Sequence, residues 1–295
     1  MRILVTGGSG FLGQALTRAL LLRGDEVIVL SRQPQKHTAR KAGSSWASAL
    51  DQIEHPVDAV INLTGENLFS HPWTARRRER LRDSRIAFTW KLVSWICSQV
   101  EPPRVLLSGS AIGFYGIGGE QALTEDSPAG TDWASTLVGD WEKATAPAAS
   151  IGVRTVLLRT GLVLGDGGLL KPLLPLFRLR LGGSLGNGQF WYSWIHVEDW
   201  VNAALLLLDS AAASGPCNLT APNPVRYREF ADALGAALQR PVWLTPPAWA
   251  LRLLLGERAN LMLGSTKALP KRLEEMGFEW RYATLAEALD AIVKE

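Results

Sequence analysis

The stretch Val5-Thr6-Gly7-Gly8-Ser9-Gly10-Phe11-Leu12-Gly13 decides the fold. Before it stands a short apolar run, Arg2–Thr6, and after it Phe11–Arg23 carries apolar residues at helical spacing. A glycine-rich turn that leaves a strand and opens a helix is expected to hold a dinucleotide pyrophosphate. Gly7 permits the tight turn out of the strand, Gly10 lets the backbone approach a phosphate with no Cβ in the way, and Gly13 lets helix and strand pack closely. The free N–H groups and positive dipole end of the helix then meet the anion.

Outward from this turn the same rhythm recurs. Glu26–Ser31, Ala59–Leu63, Arg104–Ser108 and Arg154–Arg159 are nearly continuous apolar runs, as expected of strands covered on both faces. Thr74–Gln99 and Trp133–Ser150 have helical length and spacing, and Pro102 and Pro103 follow the first of them. The alternation predicts an α/β fold with a doubly wound parallel sheet of the Rossmann type. After Gly161 come glycine- and proline-rich loops, Gly165–Gly168 and Gly182–Gly188, with helices resuming at Val197–Ser210, Arg226–Gln239, Ala248–Leu255, Thr266–Met276 and Leu285–Lys294. We therefore expect a dinucleotide-binding domain over residues 1–165, completed by about 195–210, and a smaller, partly interleaved substrate-side lobe over 166–295.

Composition narrows the function classes. Of 295 residues 47% are hydrophobic and 20% charged, which excludes disordered and collagen-like chains. A net charge of +3 is too thin a surplus to predict nucleic-acid binding. The arginine cluster Arg76–Arg82 is diluted by Glu79 and Asp83 and reads as a solvated helix face. Cys97 and Cys217 form neither a disulfide framework nor a metal-ligand spacing, so no metal is expected and a reducing compartment is. Met1 to Gly13 lacks the apolar region of a signal peptide, and the longest apolar stretch, Val201–Leu208, is under half the span of a bilayer. The expectation is a cytoplasmic protein with a small-molecule substrate and no nucleic-acid or membrane partner; a homodimer is left open.

The second strand selects the dinucleotide. An NAD site presents Asp or Glu at its end to bind the ribose 2′-hydroxyl. Here Ser31 and Arg32 stand in that place. A guanidinium matches a 2′-phosphate through a charge-assisted bond of about 1.5–3 kcal/mol, roughly a tenfold to hundredfold preference for NADP; the competing reading is a solvated surface arginine. Leu63 and Thr64, at the end of Asp58–Leu63, are expected beside the adenosine and ribose at the sheet's carboxyl edge.

The spacing Thr6-Gly7-x-x-Gly10-x-x-Gly13 with Phe11 and Leu12 resembles the extended short-chain dehydrogenase/reductases, the group that includes nucleotide-sugar epimerases. Arg104–Gly116 is similar to that family's strand ending in a serine pair and a Tyr-Gly turn. The resemblance implies that Ser108 and Ser110 face the nicotinamide end, with Ser110 as the substrate-polarising hydroxyl; serines at a strand end also cap turns. Leu123–Pro128, Leu158–Gly165 and Trp194–Asp199 match further family segments, and His196 reads as structural before catalytic. Gly65-Glu66-Asn67, Asp83-Ser84-Arg85, Asp140-Trp141-Glu142, Leu181-Gly182-Gly183, Gly186-Asn187-Gly188 and Ala268-Leu269-Pro270-Lys271-Arg272-Leu273 resemble a narrower epimerase-like branch with a short conserved C-terminal region, over essentially the whole chain. That branch implies NADP binding by Ser31, Arg32, Leu63, Thr64, Arg85 and Val163.

The usual Tyr and Lys of this class are missing. The corresponding helix reads Leu137-Val138-Gly139-Asp140-Trp141-Glu142-Lys143, which puts Val138 or Gly139 at the tyrosine position. Tyr115 is the only nearby phenol with a route to the nicotinamide, assisted by Ser110, and the competing reading gives it a packing role in the Tyr-Gly turn; Glu142 is an acid or base if burial raises its pKa. Of twelve tryptophans most read as core, while Trp191 and Trp194 are candidates to wall a substrate pocket. Two functions stay open: an NADP(H)-dependent oxidoreductase or epimerase-like enzyme acting on a small polar or nucleotide-linked substrate, and a non-catalytic NADP(H)-binding redox sensor.

Overall fold

The computed structural model describes residues 1–34, 43–68, 71–256, 259 and 263–294. Its central sheet has seven strands: β1 (Arg2–Thr6), β2 (Glu26–Leu30), β3 (Ser44–Ala47), β4 (Ala59–Asn62), β5 (Val105–Ala111), β6 (Arg154–Thr160) and β7 (Gly215–Leu219). They lie in the order β7-β6-β5-β4-β1-β2-β3, every neighbouring pair parallel. The chain order reverses between β1 and β4, which opens a crevice at their carboxyl ends. All five apolar runs of the sequence form strands here. The two edge strands come from segments that do not read as buried: Ser-Ser-Trp-Ala, and Gly-Pro-Cys-Asn-Leu, whose proline is tolerated at an edge.

The helices are α1 (Phe11–Leu22), α2 (Ala75–Arg82), α3 (Phe88–Cys97), α4 (Trp133–Lys143), α5 (Ala146–Ser150), α6 (Leu170–Arg178), α7 (Val197–Asp209), α8 (Tyr227–Leu238), α9 (Ala248–Leu255), α10 (Lys271–Glu275) and α11 (Leu285–Lys294). Successive β1 residues feed opposite faces of the sheet. Ile3 and Val5 pack with Leu16, Leu20 and Trp200 of α1 and α7, whereas Leu4 packs with Leu92, Val93 and Ile96 of α3. Both faces are therefore apolar, and each such buried aliphatic side chain contributes roughly 1.5–3 kcal/mol.

Three expected helices differ. Thr74–Gln99 breaks into α2, a π-helical turn at Asp83–Ala87, and α3; such turns often mark functional positions. Trp133–Ser150 divides into α4 and α5, with Asp132 capping α4 by accepting from the Ser135 N–H at 2.8 Å. In Thr266–Met276 only α10 is helical, because Lys267–Ala268 pairs as a strand with Ala122–Leu123. Helix α6 lies between the two glycine-rich loops, and its two prolines hide the helical pattern.

A second core joins α6, α8 and α11 around Phe177, Phe190, Tyr192, Trp194, Tyr227 and Phe230. Trp194 is fully buried there and donates to the Asn223 carbonyl, so it is a core residue and not a pocket wall. No described helix is long and apolar enough to cross a membrane.

His196 opens α7: its Nδ1 accepts from the Glu198 N–H at 3.2 Å, which requires an unprotonated ring nitrogen. Burial, with the charge of Arg281, pushes its pKa down from 6.5 to about 4. The unfolded chain takes up this proton first as pH falls, so stability present above pH 6.5 declines toward pH 4, by up to about 3 kcal/mol. Urea unfolding at pH 7 and pH 4.5 should show this loss, and His196→Asn, which keeps a capping acceptor, should shrink it.

Candidate functional site

A groove of about 830 Å³ lies over the crevice, formed by Gly7, Ser9 and Gly10 of the first turn, Leu30–Gln33 after β2, and Leu63–Glu66 after β4. Gly7 has φ +72°, and a Cβ on it would sit 2.6 Å from the Leu63 carbonyl carbon. A Cβ on Gly13 would sit 2.6 Å from the Gly8 Cα. These two glycines let β1, α1 and β4 converge at one point. Gly10 is different: its Cβ would meet only the Gly7 oxygen at 3.3 Å, so its bareness serves the open side of the groove. Gly10 is also the N-cap of α1, with no side-chain cap and no acid in the first turn. The helix therefore presents its first N–H groups, from Phe11, Leu12 and Gly13, to an anion.

Phe11 and Leu12 do not themselves line the groove. The Phe11 ring packs against Gly165–Gly168, where a Cβ on Gly167 would lie 2.5 Å from its nearest atom, and Leu12 packs on the main core. Phe11 thus ties the turn to the loop after Leu162–Leu164, whose Val163 pairs with Ile195 behind it. Ser31 and Arg32 stand at the groove's edge, and Arg32 makes no ion pair among the described residues. Leu63 and Thr64 line the groove, and Thr64 is anchored by a buried chain of bonds: Thr64 Oγ1 donates to Thr6 Oγ1, and Thr6 to Asn62 Oδ1, each at 2.8 Å. Arg85 projects from the π-helical turn; it lies against Gly65, donates to the Glu66 carbonyl at 2.9 Å, and lines the neighbouring cleft. Burial, then the charge of Arg77, lowers its pKa to about 10.

That cleft, about 340 Å³, adjoins the end of β5 and is walled by Trp73, Trp133, Trp141, Trp191 and Val138. Ser110 lines it and donates to Glu142 Oε1 at 2.6 Å; Arg159 Nε and Nη2 hold the two Glu142 oxygens at 2.9 and 3.0 Å. With its proton committed to Glu142, Ser110 keeps lone pairs free to accept from a hydroxyl entering the cleft. Ser108 lies one pleat deeper on the same face and is fully buried without a hydrogen-bond partner. It does not face the cleft. Tyr115 is placed as the packing reading has it: its hydroxyl donates to Asn218 Oδ1 at 2.7 Å and accepts from Arg159 Nη1 at 3.0 Å, and it does not line the cleft. Burial raises its pKa despite Arg159, and its bond to Asn218 ties the turn after β5 to β7. Val138, not Gly139, occupies the cleft wall at the missing-tyrosine position.

The Glu142–Arg159 pair is the feature that sequence reading missed in part. Its signal was an arginine ending the apolar run Val156-Leu157-Leu158, which burial obliges to find a counter-charge.

Residues 3–219 match the NAD dependent epimerase/dehydratase family. The chain belongs to that family. Residues 246–292 match a domain of unknown function, DUF1731. A chloroplastic epimerase family protein of Arabidopsis thaliana is 38% identical across 100% of this chain and 87% of its own length. An epimerase family protein of Bacillus subtilis is 36% identical across 100% and 99%. Among solved structures, human epimerase family protein SDR39U1 with NADPH is 32% identical, with a TM-score of 0.92 and full coverage of both chains. UDP-glucose 4-epimerase of Thermotoga maritima, at 18% identity and a TM-score of 0.82, shares the epimerase-family fold. The resemblance to extended short-chain dehydrogenase/reductases therefore holds, as does the parallel Rossmann-type sheet.

Two stability tests address the geometry. Gly13→Ala forces a Cβ into backbone and should cost about 1–3 kcal/mol in urea unfolding. Glu142→Ala leaves Arg159 buried without its partner and should cost about 3–5 kcal/mol, whereas Glu142→Leu combined with Arg159→Met should recover most of that loss.

Proposed function

We propose that this chain binds NADP(H) in the groove and is an oxidoreductase or epimerase-like enzyme acting on a small molecule in the adjoining cleft. One observation carries the reading: the uncapped start of α1 and Arg32, which has no ion-pair partner among the described residues, share a single groove, with no carboxylate at the end of β2. The residues fit the group. Gly7 and Gly10 give the diphosphate access to backbone N–H groups, Ser31 and Arg32 suit a 2′-phosphate, Leu63 and Thr64 flank the adenosine portion, and Arg85, against Gly65, borders the inner end, whereas the Val163 side chain packs on the core and lines neither space. The NADPH-bound human relative supports the same choice, while other members of the wider family hold NAD.

When bound, the nicotinamide supplies or accepts hydride. The chain's own residues manage the proton. In the oxidising direction the reacting hydroxyl's proton passes to Ser110 Oγ as the Ser110 proton passes to Glu142 Oε1, and Arg159 holds the Glu142 carboxyl group aimed at Ser110. The tryptophan walls exclude water. A second reading, an NADP(H)-binding redox reporter without turnover, is favoured by Val138 in place of a phenol and by the withdrawn Tyr115. Both cysteines are free thiols, which suits a reducing, cytoplasmic setting.

Calorimetric titration should give NADPH a roughly tenfold to hundredfold tighter Kd than NADH, and Arg32→Ala should erase the difference. Equal affinity in the unaltered protein contradicts the assignment. Ser110→Ala separates the two readings, abolishing turnover in the first and changing nothing in the second.

A further inference from the structure

The cleft's lining speaks to what it holds. Trp73 and Trp133 stand as a tilted pair with ring centroids 4.7 Å apart, and Trp141 and Trp191 add two more indoles. Three indole N–H groups are already spent: Trp73 donates to the Leu68 carbonyl, Trp141 to Thr89 Oγ1 and Trp191 to Glu120 Oε2. These rings therefore offer the cleft carbon surface and π faces more than hydrogen-bond donors. Val138 adds further apolar wall.

The charges are equally telling. Arg85 is the cation of the lining, and it is committed to the Glu66 and Leu81 carbonyls and lies over the Trp141 ring, 5.5 Å from its centroid. Asp132 adds a carboxylate to the same lining. Arg226, just outside, stacks on Trp191 at 3.9 Å and is paired with Glu120. A diphosphate entering here would lose its hydration for one occupied guanidinium and would meet a carboxylate. At about 340 Å³ the space is near the lower end of small-molecule pockets, roughly 300–1,000 Å³, and suits a molecule of two or three fused rings. Its one hydroxyl backed by a buried carboxylate, Ser110, can hold a single oxygen.

We infer that the cleft takes an uncharged, planar aromatic carbonyl compound, or the alcohol it interconverts with, and not a sugar nucleotide. The placement of the reacting oxygen at Ser110 rests on the function proposed above.

The test uses the full chain, with and without saturating NADPH, and titrates 2-acetylnaphthalene and UDP-glucose separately by calorimetry. 2-Acetylnaphthalene is expected to bind saturably. Trp133→Ala and, independently, Trp73→Ala should each weaken it at least about fivefold, the scale of a lost aromatic stacking contact. Trp243→Ala, an exposed tryptophan outside the cleft, should leave it unchanged. UDP-glucose is expected to show no saturable binding. Saturable UDP-glucose binding, absence of 2-acetylnaphthalene binding, or binding indifferent to both cleft substitutions overturns the inference. NADPH titrated alone keeps the two ideas apart: if NADPH binds and the ketone does not, only the substrate class falls. If the ketone binds in the predicted way and NADPH does not, the cofactor reading falls and the cleft's ligand class stands.

Discussion

The close approach of three backbone segments at Gly7 and Gly13 governs the rest of this structure. A side chain at either position would run into the end of β4 or the start of the turn. Their bareness brings α1 down with its first N–H groups facing the crevice, at the point where the sheet's strand order reverses. The Phe11 ring then fixes the loop after Leu162–Leu164 against the same turn. The packing of three segments and the exposure of the helix's first N–H groups are thus two consequences of one steric condition.

A buried charge cluster organises the other end of the site. Arg159 sits among β-sheet neighbours at 4% exposure and is tolerated because Glu142 meets it with two oxygens. The same arrangement binds both hydroxyls, Ser110 donating to Glu142 at the cleft and Tyr115 accepting from Arg159 behind it. The vacated tyrosine position becomes Val138, and the cleft gains an apolar wall in its place.

Much of this was legible in the chain itself. The β1 turn, the five interior strands and the basic end of β2 were readable because sterics and double-sided burial leave a local trace. Edge strands β3 and β7 were not, since an edge needs little hydrophobicity and Pro216 argues against a strand until its exposed side is known. The directions of Tyr115 and Trp194 also lay beyond reach, because they depend on partners, Asn218 and Asn223, that are about one hundred and about thirty residues away. Residue type announced the glycines; only tertiary contact could assign the phenol.

The most direct test of the central claim is a crystal structure of the protein grown with NADPH. The prediction is a diphosphate on the N–H groups of Phe11, Leu12 and Gly13 and a 2′-phosphate against Ser31 and Arg32. A dinucleotide whose 2′-phosphate points away from Arg32, or one absent from the groove at saturating concentration, would contradict it.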